Sequence, residues 1–262
     1  MDFSEKTIYP NIYDTSLLCA IPRAINRQRI LGNNNVPFYG VDIWNAYELS
    51  WLRQDGCPQN AVLEIIYSSS SEYIIESKSL KLYLNSLNNK KFSNGAKLLQ
   101  TIQTDLQNKL KTFIKIRFRN TVEVQMCESI SGCCIDNSYT STSIAKGLIL
   151  ENKEVVDQKL YSELLKSNCP LTGQPDWATV IIRYSGQKIC SASLLQYIIS
   201  LRDTNDYHEH CVEKIFMDIW TLCRPTLLTV YARYTRRGGI DINPFRSSEI
   251  MDVPSNTRIT RQ

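Results

Sequence analysis

The feature that most constrains this chain is a change of hydrophobic period that occurs twice in the same order. Residues 61–69 alternate, with Leu63, Ile65 and Tyr67 on one face, which predicts a strand. Tyr73–Ile75 predicts a short strand pairing back on it. The period then lengthens. Leu80, Leu84 and Leu87 over 79–87, and Leu98, Leu99, Ile102, Leu106 and Leu110 over 96–110, predict two amphipathic helices. Alternation returns over 112–119 with Ile114, Ile116 and Phe118. In the second half, Val180, Ile182 and Tyr184 predict a strand over 178–184, and Ser185-Gly186 reads as a hairpin turn leading back to Ile189. Ser193 with Gln196, and Asp206 with Glu209, suit capping boxes that open two helices. Their apolar stripes are Leu194, Leu195, Ile198 and Ile199, then Val212, Ile215, Phe216, Ile219 and Cys223. A strand is predicted again over 227–235.

A sheet must cover one face and an amphipathic helix one stripe, so each half can satisfy both by laying its helix pair on its own strands. The expected fold class is α+β: a duplicated unit of antiparallel sheet with helix pairs on one face. The boundary is expected within 130–165. That stretch begins turn-rich at Ser138–Ser143 and ends in a charged segment, Asn152–Lys166, predicted helical. The first 35 residues, with the loop signal Asn33-Asn34-Asn35, and the tail from Ser247 read as irregular.

Composition narrows the function classes. A chain of 262 residues has room for one large domain or two ordinary ones. Hydrophobic residues at 43% and a formal charge of +4 exclude a mainly disordered chain and require neither nucleic acid nor an anionic membrane as partner. No apolar run approaches the roughly 18 residues of a spanning helix. The start, Met1-Asp2-Phe3-Ser4-Glu5, lacks the basic-then-apolar pattern of a signal peptide. A cytoplasmic protein, off the membrane and with no direct nucleic-acid contact, is expected. The nine cysteines are odd in number and form no CxxC pair, which argues against a structural zinc site or a disulfide framework. Most are expected to be buried as small apolar side chains. His208 and His210 are the histidines of the chain, too few for most His-based metal chemistry.

Four stretches could carry chemistry. Cys169 precedes Pro170, so it is biased away from helix. Asp176 follows seven residues on, at the start of a predicted strand; the two could be a nucleophile and a proton donor. Spacing alone favours a buried loop cysteine and a strand-opening aspartate. His208-Glu209 sits at a helix N-terminus, where both side chains could face a cavity, or where Glu209 could simply close a cap on Asp206. Glu76-Ser77-Lys78 lies between a short strand and a helix and could anchor a ligand and meet a phosphate, or be a solvated helix start. Arg236-Arg237-Gly238-Gly239 could let backbone and guanidinium approach a phosphate, or be a basic turn. No dinucleotide-binding glycine fingerprint and no P-loop pattern is present.

Taken together these segments resemble a known family. Glu76-Ser77-Lys78-Ser79-Leu80-Lys81-Leu82-Tyr83 resembles the signature of the NADPH-dependent nitrile reductases acting on 7-cyano-7-deazaguanine. Ser167-Asn168-Cys169-Pro170 through Gln174-Pro175-Asp176-Trp177 resembles their catalytic-cysteine segment. Tyr207-His208-Glu209 with Cys211-Val212-Glu213, and Tyr231 through Gly239 followed by Asp241-Ile242-Asn243-Pro244, are further matches. The matches run in order from about Ile21 to Ser247 and are similar to the long, two-module subtype. Pro170 after the cysteine and the tail beyond Ser247 depart from the expected pattern.

The resemblance implies a tunnelling fold, two ββααββ units divided here as 1–145 and 146–262, and assembly as a homodimer. It implies reduction of the nitrile to 7-aminomethyl-7-deazaguanine in queuosine tRNA-modification biosynthesis, with NADPH as cofactor and no metal. Cys169 would be the nucleophile, forming a thioimide, with Asp176 as proton donor. The thiolate would be favoured by a donor such as His208 or by backbone amides, and His208 would also assist the proton. Ile75, Glu76, Ser77, His208 and Glu209 would hold the deazapurine. Ser77, Lys78, Arg237 and Gly238 would hold the cofactor. The competing expectations are a zinc-dependent cyclohydrolase or pterin enzyme of the same fold, and a non-catalytic purine-binding module.

Overall fold

The structure, a computed structural model, describes residues 9–32, 36–139 and 147–262. The opening residues Met1–Glu5, the Asn33-Asn34-Asn35 loop, most of the Ser138–Ser143 stretch and the expected boundary at 145 lie outside the described residues.

The first unit runs β1 (Ala20–Pro22), α1 (Arg23–Leu31), β2 (Tyr39–Leu52), β3 (Pro58–Ser68), β4 (Tyr73–Ile75), α2 (Ser77–Ser86), α3 (Gly95–Leu110), β5 (Ile114–Arg119), α4 (Thr121–Gln125) and β6 (Cys133–Cys134). The second runs β7 (Leu150–Asn168), β8 (Pro175–Ile189), α5 (Ser191–Ser200), α6 (His208–Cys223), β9 (Leu227–Tyr234) and β10 (Ile240–Ser247). Among the described residues they form one large sheet in the order β5-β3-β2-β10-β9-β8-β7-β6, with β1 and β4 paired apart. Its pairings are antiparallel except β6 with β7. The plan strand–strand–helix–helix–strand recurs. The second unit completes it with β10, whereas the two-residue β6 that follows the first unit lies beside β7 at the far edge.

Strand alternation decides which face the helices cover. Trp44, Leu63 and Ile65 face α2 and α3 and pack with Leu80, Tyr83, Leu98, Ile102 and Leu106. Val180, Ile182, Val230 and Ala232 face α5 and α6 and pack with Leu194, Ile198, Val212, Ile215 and Phe216. Ile43, Ile66, Tyr231 and Phe245 point to the opposite face. The units join where β10 pairs with β2, from Ile240 opposite Ala46 to Ser247 opposite Tyr39. At that seam Gly40 has φ +150°, and a Cβ there would lie 2.0 Å from the Phe245 carbonyl oxygen. Gly40→Ala is therefore expected to destabilise the chain by about 2 kcal/mol or more, read as a lowered denaturation midpoint. An unchanged midpoint would show that the seam relaxes freely.

Several local expectations are corrected. Residues 150–168 are strand, not helix: Leu160 and Ser162 are buried, then a register shift before Leu165 brings Leu165 and Ser167 inward. The irregularity breaks the two-residue period and disguises the strand. Ser185-Gly186 does not turn, because β8 continues to Ile189 beside β7. Gly186 instead admits Pro225, whose Cα would lie 3.0 Å from an added Cβ. Tyr73–Ile75 pairs with Ala20–Pro22 rather than with β3. The supposedly irregular opening holds α1, which carries no apolar stripe: its buried residues are Arg23 and Leu31. Neither capping box forms. In α5, Ser193 Oγ donates to the Cys190 carbonyl and accepts from Ile149 N–H. In α6, Tyr207 is the N-cap and Asp206 accepts from Tyr207 N–H, which leaves Glu209 unengaged. Cysteines are less buried than expected. Cys169, Cys211 and Cys223 are buried, but Cys19, Cys57, Cys127, Cys133 and Cys134 sit on loops and short edge strands and are exposed; all nine are free thiols.

Candidate active site

The turn between β7 and β8 presents the candidate nucleophile. Cys169 N–H donates to Gln174 O at 2.8 Å and Gly173 N–H donates to Cys169 O at 2.9 Å. Gly173, at φ +68°, takes a left-handed conformation that an L side chain would strain. Cys169 is 8% exposed and lines a narrow cleft together with Pro170. Burial pushes its thiol up. The Thr172 hydroxyl, the Leu171 and Thr172 amides and Arg237 outweigh that and hold it below the ordinary 9.0. Pro170, which has no N–H to offer, leaves those two amides to do so.

Asp176 follows at the start of β8 and is also buried. Arg237 Nε lies 3.0 Å from its Oδ1, and Arg237 Nη1 donates to Gln174 Oε1 at 2.9 Å. Burial raises the Asp176 carboxyl above its usual 3.8 despite Arg237 and Lys81. His208, the first residue of α6, places Nε2 3.7 Å from Asp176 Oδ1 and packs edge-on against Tyr234. Burial, Arg237 and Lys81 push its pKa down to about 3, so the imidazole is neutral. A neutral ring lends no positive charge to the thiolate. The groups that lower the thiol are the Thr172 hydroxyl, the two amides and Arg237, in line with the backbone-amide alternative and not with His208.

Glu209 is 1% exposed, and its Oε1 has no hydrogen-bond partner. Burial first, then Asp42, pushes its pKa up to about 8. A buried carboxyl oxygen without a partner is costly. It lines the same cleft as Cys169, where a bound molecule could satisfy it.

The first unit supplies the facing wall through Ile75, Glu76 and Ser77, with Trp44. Glu76 N-caps α2, its Oε1 accepting from Lys78 N–H at 2.9 Å and its Oε2 from Ser79 N–H at 2.6 Å. It therefore shapes the wall while its oxygens stay engaged. Lys78 is exposed and lines none of this cleft. Lys81 is the lysine that turns inward, beside Ser77, His208, Thr235 and Arg237. Sequence reasoning missed it, although four residues separate it from Ser77, which puts both on one helix face. Beyond Lys81 a groove continues past Gly238, Gly239, Glu48 and Asn85. Gly238 and Gly239 have φ +61° and +76°, and a Cβ at Gly238 would come within 3.1 Å of Lys81. Bare backbone beside Lys81 and Arg237 suits a phosphate-bearing cofactor. Among the described residues no cluster of three His, Cys, Asp or Glu side chains could hold a metal ion.

Cys169, the buried Asp176 carboxyl and Glu209, whose Oε1 has no hydrogen-bond partner, line one cleft where two α+β units meet. A thiol and two buried carboxyls in one cleft define the candidate active site of an enzyme. Known proteins narrow the class. Residues 9–118 match the family model described as "Nitrile reductase, 7-cyano-7-deazaguanine-reductase N-term", and residues 175–252 match "QueF-like protein". The curated NADPH-dependent 7-cyano-7-deazaguanine reductase of Coxiella burnetii (strain CbuK_Q154) is 46% identical, with the alignment covering 100% of this chain and 96% of that protein. Those of Polaromonas sp. and Delftia acidovorans are each 44% identical, covering 98% of this chain and 96% of theirs. Among solved structures, an archaeosine synthase QueF-Like in the apo form aligns at 15% identity and a TM-score of 0.33, over 38% of this chain and 100% of that one. The chain belongs to the family of NADPH-dependent 7-cyano-7-deazaguanine reductases. Full coverage by relatives also places the tail beyond Ser247 within the family's length, not outside it.

Proposed function

We propose that this chain reduces the nitrile of 7-cyano-7-deazaguanine to a primary amine with NADPH, through a covalent intermediate on Cys169. The observation that carries the reading is the meeting of Cys169, Asp176 and Glu209, whose Oε1 has no hydrogen-bond partner, in one cleft. Glu209 accepts the adjacent ring N–H and amino group of the deazaguanine, bound between Ile75–Ser77 and His208. The Cys169 thiolate attacks the nitrile carbon: a C–S bond forms, one π bond of the triple bond becomes a lone pair on nitrogen, and the Asp176 proton goes to that nitrogen, giving a thioimide. A proton from solvent returns to Asp176 by way of neutral His208, which takes it up at one ring nitrogen and releases one from the other. NADPH supplies the hydrides that take the thioimide to the amine and release the sulfur. Lys81, Arg237, Ser77 and the Gly238 backbone would hold its phosphates, and the exposed Lys78 would add its charge from the surface of the same helix. Burial of the cleft keeps water from the reducible carbon.

Asp176→Asn tests the acid. Asparagine can still donate a hydrogen bond but cannot give up the proton, so adduct formation should slow roughly 100- to 10,000-fold with substrate affinity nearly unchanged. Rapid mixing followed by mass spectrometry measures the first and equilibrium titration the second. Equal losses in both would assign Asp176 to binding.

The same reading includes two modules, 1–145 and 146–262, a homodimer and a cytoplasmic location. It rests for the modules on the recurring strand–helix–helix plan. For the location, no helix among the described residues is long and apolar enough to cross a membrane.

A further inference from the structure

Behind Glu209 lies a buried lattice of ions that the chemistry above does not use. Arg23 at the start of α1 pairs with Asp42 of β2 and donates through Nε and Nη2 to Ser71 Oγ at 3.2 and 3.1 Å. Arg246 of β10 bridges Asp42 at 2.8 Å and Glu213 of α6 at 2.8 Å. Arg27 lies 2.7 Å from Glu213. Arg23, Asp42, Arg246 and Glu213 are each 1% exposed or less. Three guanidiniums meet two carboxylates, so the lattice carries one positive charge in excess. Arg23 Nη1, 3.6 Å from Glu213 Oε1, has no hydrogen-bond partner. Glu209 precedes Glu213 by one helical turn on the same face of α6, and its Oε1 is also without a partner. Arg23 and Glu209 act on each other electrostatically, and an ionised Glu209 would bring the charge of these six side chains to zero.

We propose that Arg23 is a positioning residue for substrate recognition, the buried counter-charge that lets Glu209 meet the substrate as a carboxylate. The proposal rests on the assignment of Glu209 to base binding. A dry carboxylate with no compensating charge would stay protonated and present an O–H to the ligand's N–H donors. The lattice supplies that compensation without occupying the oxygen the ligand needs, because its cations are already oriented by Asp42, Ser71 and Glu213. The groups acting on Glu209 are Arg23 from α1, Asp42 from β2, Tyr67 from β3, Arg246 from β10 and Tyr207 at its own helix cap, with Glu213 one turn further along α6. Asp42 opposes ionisation, and Arg23 and Arg246 favour it.

The test measures affinity for 7-cyano-7-deazaguanine against pH in the Cys169→Ala background, where binding is not followed by addition. Arg23→Met should move the pH at which affinity reaches its plateau upward by at least about one unit, a tenfold loss of affinity at neutral pH. Arg23→Lys should restore most of it. Glu213→Gln adds to the excess positive charge and should move the profile down, in the opposite direction to Arg23→Met. This variant carries the test if Arg23→Met fails to fold. Weaker binding with an unmoved pH profile in Arg23→Met, or an unmoved or upward profile in Glu213→Gln, would overturn the proposal. If Glu209→Gln itself bound the base normally with the same profile, the assignment of Glu209 would be at fault instead.

Discussion

In Cys169→Ala, incubation with 7-cyano-7-deazaguanine in the absence of NADPH is expected to leave the protein mass unchanged, while the parent protein gains the mass of one whole substrate molecule. Addition of a thiolate across a nitrile keeps every atom, so no fragment should be lost. NADPH should then discharge the adduct and return the parent mass. Turnover in the variant should fall at least roughly 1,000-fold, because a nitrile that is not first converted to a thioimide is a poor hydride acceptor. The cleft should survive the change, since the backbone of the 169–174 turn is held by its own hydrogen bonds to Gln174 and Gly173 rather than by the sulfur. Unmodified parent protein after long incubation with substrate would sink the covalent route. Cys211 and Cys223 provide an internal control: burial pushes both up to about 11, so they should remain thiols and unmodified.

The second large effect is expected at Glu209. Glu209→Gln replaces one acceptor oxygen with an amide that faces the ligand's own donors. The loss of affinity should be about 2–5 kcal/mol, measured by equilibrium titration. The parent should show affinity that rises as pH approaches about 8, where Glu209 ionises, and the variant should show a flat profile. Stability should respond in the opposite sense. The folded-state pKa of Glu209 lies above its unfolded 4.5, so the stability it contributes is present in acid and is lost as pH rises from about 4.5 to about 8. Glu209→Gln removes that loss. At pH 8 the variant should denature at a higher midpoint than the parent while binding substrate worse. A variant that loses both stability and affinity would mark Glu209 as a structural residue.

The apolar pattern carried the two-unit plan because burial acts on many residues at once. Leu98, Ile102 and Leu106 on α3, and Val212, Ile215, Phe216 and Ile219 on α6, each lie on the stripe that their spacing predicts. Segments held by other forces were not legible in that way. α1 is tied down through Arg23, Arg27 and Asn26 to partners on β2 and α6, so its residues read as polar loop. β7 lost its alternation to an irregularity at 162–165.

In the same way, the chain by itself determined which groups could do chemistry. Cys169, Asp176, His208 and Glu209 are separated by a few dozen positions, and their motif context carried the family. Their states were decided only in three dimensions. A pKa depends on solvent exposure and on charges brought from elsewhere in the chain, which is why His208 is neutral and Glu209 is not a cap. Lys81 rather than Lys78 faces the cleft because the start of α2 sets which side of that helix turns inward. Arg246 meets Asp42 because β10 and β2 pair at the seam between the units, and it reaches Glu213 of α6 from there. Linear order records which side chains exist, and the register of strands and the phase of helices decide which of them meet out of water.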